Sequence, residues 1–140
     1  MSTGPTRDQI ESYIAAWNRH DVNAILEYFA DDCYYEDTAF ALVNRGKEEV
    51  RAFCEHSFAT MPDMHFDIKD AFIEGDGLGW EWTVSGSIKD GHAIGVAVKD
   101  AFVSADGASI TRFRDGLIIK NVDYYDSRSF LKQLGVQSDL

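Results

Sequence analysis

The chain has 140 residues, 13 basic and 24 acidic, and a net charge of −11. That length fits one domain, and 45% apolar with 13% aromatic residues gives the apolar surface that disordered chains lack. The acidic excess argues against nucleic acid and anionic membrane surfaces as partners, since both are recognised through clustered Lys and Arg.

Thr6 followed by Gln9 fits a capping box, and Ile10, Tyr13, Ile14 and Trp17 then form one stripe of an amphipathic helix. His20-Asp21 breaks it. Asp21 can cap a second helix carrying Val22, Ile25, Leu26 and Phe29. A short β-rich piece covers 33–38, and a loop over 39–46 leads into a third helix. Val50, Phe53, Cys54, Phe58 and Met61 share a face of that helix, and Pro62 stops it.

From Met64 the period changes to two. Met64, Phe66, Ile68 and Phe72 alternate with polar residues, as do Trp80, Trp82 and Val84. Further β-like runs cover 93–104, 108–114 and 117–126. Their boundaries are Asp76-Gly77, Asp90-Gly91, Asp106-Gly107 and Asp115-Gly116, and Asp-Gly favours tight hairpin turns because Gly takes positive φ at little cost. Four such pairs between five runs predict an antiparallel meander. A last helix from Ser127 carries Phe130, Leu131 and Leu134 and ends at Gly135. Helices followed by strands predict a single α+β domain, three N-terminal helices on one face of a strongly curved antiparallel sheet. Sheet and helices can then wall a small-molecule pocket.

Cys33 and Cys54 lie in no CxxC, which fits two buried free thiols in a reducing compartment. The start MSTGPTRDQIES is polar, and no run approaches the ~18 apolar residues of a membrane span. A cytoplasmic location is expected. His20, His56, His65 and His92 are scattered without metal-ligand spacing, so no metal is expected. No dinucleotide, P-loop or serine-nucleophile motif occurs, and no cofactor is expected.

Two carboxylates stand out. Alternation puts Cys33, Tyr35 and Asp37 on one face, and Ile119, Asn121, Asp123 and Tyr125 on another. A carboxylate among aromatic and aliphatic neighbours loses hydration, so its pKa rises and it becomes a better base near neutral pH. Such a base suits removal of a proton from carbon beside a carbonyl. Trp17, Tyr35, Trp82 and Phe113 are candidate pocket walls for a flat polycyclic or aromatic ligand.

The stretch Tyr13-Ile14-Ala15-Ala16-Trp17-Asn18, with Asp21, Tyr28-Phe29-Ala30-Asp31-Asp32 and Glu36-Asp37, resembles the nuclear-transport-factor-2-like superfamily. Arg112–Ile118, Asp123-Tyr124-Tyr125-Asp126 and Gln133-Leu134-Gly135 resemble its SnoaL-like polyketide cyclase branch. The resemblance implies a conical α+β barrel with a deep pocket, a homodimer formed through the sheet, and no cofactor. It implies Asp123 as acid/base in an aldol-type ring closure. Ketosteroid isomerase, in the same superfamily, is similar over the first third and implies Tyr13 as oxyanion donor and Asp37 as base. The resemblance implies a substrate-binding pocket position at Ser109, where the cyclases carry a histidine and at or near which ketosteroid isomerase carries a protonated aspartate; a serine cannot hold a proton near neutral pH as an imidazole does.

The register carries one further expectation. If Asp115-Gly116 were a two-residue turn, Ser109 would oppose Val122 and Asp123 would point away from it. A three-residue loop over 114–116 would put Ser109 and Asp123 on one face. Three functions fit these residues. The first is an acid/base enzyme acting on a carbonyl-bearing apolar molecule by cyclisation, isomerisation or dehydration. The others are a non-catalytic ligand-binding or dimerisation module and an enzyme similar to limonene epoxide hydrolase.

Overall fold

The computed structural model describes residues 4–88 and 101–135. The elements are α1 (Arg7–Asn18), α2 (Val22–Leu26), β1 (Phe29–Asp37), β2 (Leu42–Arg45) and α3 (Gly46–Thr60), then β3 (His65–Glu74), β4 (Gly77–Ile88), β5 (Ala101–Arg114), β6 (Leu117–Tyr125) and α4 (Ser127–Gln133). The Asp90-Gly91 pair, His92 and much of the 93–104 run lie outside the described residues.

Local signals formed the helices largely as read. Thr6 Oγ1 accepts from the Gln9 N–H at 3.2 Å, and Gln9 Oε1 accepts from the Thr6 N–H at 2.9 Å. The Ile10, Tyr13, Ile14 and Trp17 stripe is buried. Asp21 caps α2 through the Ala24 N–H. Phe29, expected on that helix, instead opens β1, because Ile118 of β6 pairs with it and donates to the Tyr28 carbonyl. The 39–46 segment is not all loop, since Leu42–Arg45 form a short edge strand beside β1.

The sheet has six strands in the order β2-β1-β6-β5-β4-β3. Strands β3 to β6 form the antiparallel meander, and helices cover one face. One pairing departs from it: β1 runs parallel to β6, with Tyr35 beside Asn121 and Asp37 beside Asp123. A pairing between segments so far apart leaves no local trace in sequence. Asn18 locks α1 to the sheet by donating to the Phe66 carbonyl at 3.0 Å and accepting from its N–H at 2.8 Å.

The Asp-Gly pairs had different fates. Asp115-Gly116 is a turn with both residues at positive φ, 54° and 81°. At the β3–β4 hairpin the turn sits one residue early, because Gly75 takes the positive φ and Glu74 pairs with Gly77. Asp106-Gly107 makes no turn and lies within β5, opposite Thr83 and Trp82. Asp106 is satisfied there by the Thr83 hydroxyl at 2.7 Å. Gly107 is needed because a Cβ would lie 2.3 Å from the Trp82 ring.

Two irregularities decide which side chains face inward. A shift between Ile68 and Asp70 turns Phe72 outward, 68% exposed, although Phe66 and Ile68 pack inward as expected. The β5–β6 hairpin has the two-residue turn, with Arg114 opposite Leu117, and not the three-residue loop expected to give Ser109 and Asp123 a shared face. A register shift between Arg112 and Phe113, with Ile119 as the extra residue, then sets Ser109 directly opposite Asp123. A bulge does what the longer loop was expected to do.

Cys33 and Cys54 are buried and unbridged. Among the described residues no helix is long and apolar enough to cross a membrane.

Candidate active site

The parallel β1–β6 pair places two carboxylates side by side on the helix-covered face. Asp37 is 5% exposed and Asp123 9%. Each is held by a tyrosine from the other strand. Tyr35 on β1 donates to Asp123 Oδ2 at 2.5 Å, and Tyr125 on β6 donates to Asp37 Oδ2 at 2.6 Å. Asp37 Oδ1 also accepts from the Phe40 N–H at 3.1 Å.

Asp123 has further partners behind it. Its Oδ1 accepts from the Ser109 hydroxyl at 2.6 Å and the Asn121 amide at 2.8 Å. Ser109 in turn accepts from the Trp82 indole N–H at 2.8 Å. Thr111 accepts from the Trp80 indole at 3.1 Å and donates to Asn121 Oδ1 at 2.7 Å. The ionised carboxylate and the Asn121 amide oxygen can only accept, so each hydroxyl takes an indole N–H on its oxygen and donates its own hydrogen onward. Both relays end on the same carboxylate oxygen.

Burial pushes the Asp123 carboxyl from 3.8 up to about 6. The donors from Ser109, Tyr35 and Asn121 hold it down, and the neighbouring Asp37 charge raises it further. Asp37 is also raised by burial, against donors from Tyr125 and the Phe40 and Ala39 backbone. Burial raises the Tyr35 and Tyr125 hydroxyls as well, so both remain protonated donors.

The carboxylates border two adjoining cavities. The outer one has a volume of about 360 Å³ and the inner one about 80 Å³. They share Asp37, Phe53, Ser57, Met61, Met64, Tyr125 and Phe130 as walls. The inner chamber adds Trp17, Tyr35, Trp82 and Asp123. An apolar chamber with a few convergent polar groups is the usual form of a small-molecule site.

Five of the residues singled out in sequence, Asp37, Asp123, Trp17, Tyr35 and Trp82, thus meet around one chamber. Three take other places. Ser109, fully buried, stands behind Asp123 rather than in the cavity wall, and borders a void of about 20 Å³. Tyr13 borders that same void but makes no hydrogen bond to Asp123. It packs in the core against Trp17, Tyr28 and Trp80, and burial raises its hydroxyl against a hydrogen bond from Trp17. The phenol on Asp123 is Tyr35. Phe113 lines a separate void of about 30 Å³ with Tyr28, Leu78 and Ile118. It lies four residues beyond Ser109, roughly 14 Å along the strand.

Sequence reasoning missed Tyr125, Phe40, Phe53, Met61 and Phe130 as site residues. Tyr125 carried a signal, since it shares a strand face with Asp123. The others reach the cavity only through the tertiary fold. Among the described residues no group of three or more His, Cys, Asp or Glu is gathered for a metal.

A family model for SnoaL-like polyketide cyclases matches residues 7–134. The cyclase aurE of Calcarisporium arbuscula is 27% identical over 116 residues, covering 81% of this chain and 82% of that protein. A protein with a ketosteroid isomerase-like fold from Catenulispora acidiphila DSM 44928, solved in complex with trimethylamine, superposes with a TM-score of 0.81. It is 28% identical, over 97% of this chain and 98% of that one. TsrD from Streptomyces laurentii superposes with a TM-score of 0.78 at 25% identity, over 91% of this chain and 92% of that one.

Proposed function

The chain belongs to the SnoaL-like polyketide cyclase family, and from that footing we propose that it is an acid/base enzyme acting on a carbonyl-bearing, mostly apolar small molecule. Asp123 is the base, and the reaction is of the cyclase or isomerase type, opened by loss of a proton from carbon. The observation that carries this reading is a buried carboxylate at the inner end of an aromatic chamber, poised to lose its own proton at about pH 6. Near neutral pH it is ionised, yet basic enough to take a proton from carbon acidified by a neighbouring carbonyl.

The sites divide by depth. A ligand filling the outer cavity meets Asp37 and Tyr125 first, and its inner end reaches Asp123. The Asp37–Tyr125 pair supplies a second base and a hydroxyl donor to the same ligand. An epoxide-hydrolase reading needs an arginine between the carboxylates, and among the described residues no arginine lines either cavity. A homodimer would use the outer face of the sheet, where Phe72, Phe102, Ile110 and Tyr124 stand exposed.

Loss of α-deuterium from 2-tetralone, followed by proton NMR, tests the reading without knowledge of the natural substrate. The wild type should accelerate exchange over buffer, and Asp123→Asn should lower the rate by roughly 10²–10⁴-fold with the fold retained. Equal exchange by both proteins would remove Asp123 as the base. Binding of the ketone without exchange would favour the non-catalytic module.

A further inference from the structure

We propose that Tyr35 is a conditional donor: it holds Asp123 Oδ2 while the carboxylate is ionised, and turns to the ligand's oxygen once Oδ2 has taken the ligand's proton. The proposal rests on Asp123 acting as the base.

The argument begins on the far side of the carboxylate. Oδ1 already accepts two hydrogen bonds, from Ser109 and Asn121. Neither donor can turn away. Ser109 accepts from Trp82 and gives its single hydrogen to Asp123, the one acceptor it meets among the described residues. The Asn121 oxygen is taken by Thr111, which leaves its NH₂ facing Asp123. A proton on Oδ1 would displace at least one of these donors in a region where Ser109 and Asn121 are 0% and 2% exposed, with no other acceptor among the described residues. The arriving proton is thereby directed to Oδ2.

Among the described residues Oδ2 accepts from Tyr35 alone, and Tyr35 and Asp123 both line the inner chamber. When the ligand's C–H bond breaks, its proton forms the O–H bond at Oδ2. The electron pair stays on the ligand as an enolate, and Asp123 becomes a neutral acid. A neutral hydroxyl oxygen accepts far more weakly than a carboxylate, so the Tyr35 bond to Oδ2 loses its charge assistance at that step. The negative charge has meanwhile moved to the enolate oxygen in the same chamber, and the Tyr35 O–H follows it. Tyr35 keeps its own proton throughout. The donor thus becomes available as the charge that needs it develops, which favours the transition state over the bound ketone.

NMR on the ligand-free protein tests this separately from turnover. The Asp123 carboxyl carbon, the Tyr35 ring carbon bearing the hydroxyl and the Asn121 side-chain amide are followed from pH 4 to 8, with assignments made in the wild type. Tyr35 should shift in step with the Asp123 titration, and by more than the Asn121 amide does. Tyr35→Phe should raise the Asp123 midpoint by about one pH unit, because a donor to the ionised form is lost. If the Asn121 amide moves with the titration while Tyr35 stays still, the proton goes to Oδ1 and the proposal is overturned. An unchanged Asp123 midpoint in Tyr35→Phe also overturns it. Should Tyr35→Phe not fold, the wild-type comparison decides alone. Failure of Asp123→Asn to slow ketone exchange would remove the enzymatic reading and leave these resonances as they are.

Discussion

Each hydrogen bond to Asp123 favours its ionised form, yet burial outweighs all three, since the carboxyl sits at about 6 rather than 3.8. A folded-state pKa above the unfolded one means that the native state holds the proton more tightly between those values. This contribution to stability is therefore fullest below about pH 4 and falls as pH rises toward 6, by about 3 kcal/mol in all. Asp37, also raised, adds a slope of the same sign. Urea unfolding between pH 4 and 7 checks this, and Asp123→Asn should be less pH-dependent than the wild type across that interval. Ser109→Ala leaves the Trp82 indole without its acceptor and removes one donor to Asp123. It should cost about 1–3 kcal/mol and move the Asp123 midpoint upward, read by denaturation and carboxyl NMR.

At the scale of the elements, two glycines from Asp-Gly pairs do different work, and alanine separates them. Gly116 sits at φ 81° with nothing within 4 Å of where a β-carbon would stand, so Gly116→Ala should cost about 1–2 kcal/mol through backbone conformation alone. At Gly107 the same methyl would enter the Trp82 ring, whose nitrogen serves Ser109. Gly107→Ala should cost about 1–3 kcal/mol, and it should also disturb the Asp123 titration, which Gly116→Ala leaves alone. Calorimetry and carboxyl NMR read the two effects. This pair also shows how far local chemistry can be read. Asp-Gly marks a glycine requirement, but whether that requirement is a turn or a close approach depends on a tryptophan on the neighbouring strand. Helix caps and stripes were legible because their causes lie within four residues. Phe29, Phe72 and the Ile119 bulge were not, because partner strands fix them.

The whole molecule carries a charge of −11, and two of its acid groups face the chamber in poor contact with water. Neutral ketones should therefore raise the melting temperature more than carboxylate analogues of the same size, with the difference narrowing as salt is added. If the outer sheet face joins two copies, Phe102→Asp should shift sedimentation toward the monomer while ketone binding persists, since Phe102 is 65% exposed and lines neither cavity. The candidate acids were legible because each shares a strand face with apolar neighbours. Their meeting was not, because it depends on the parallel β1–β6 contact. Phe113 shows the limit of face-sharing: on the same strand as Ser109, it lies too far along to reach the chamber.

Tyr35 and Asp123, like Asp37 and Tyr125, are separated by 88 residues. Neither crossed pair can form before β6 docks against β1, one of the late, long-loop closures that slow folding. A nascent chain released from the ribosome only as far as β5 would own α1 to α3 and most of its meander but no reactive centre. Ligand capture would then mark the last stage of maturation, and a small-molecule binder could report completed folding in a translation extract.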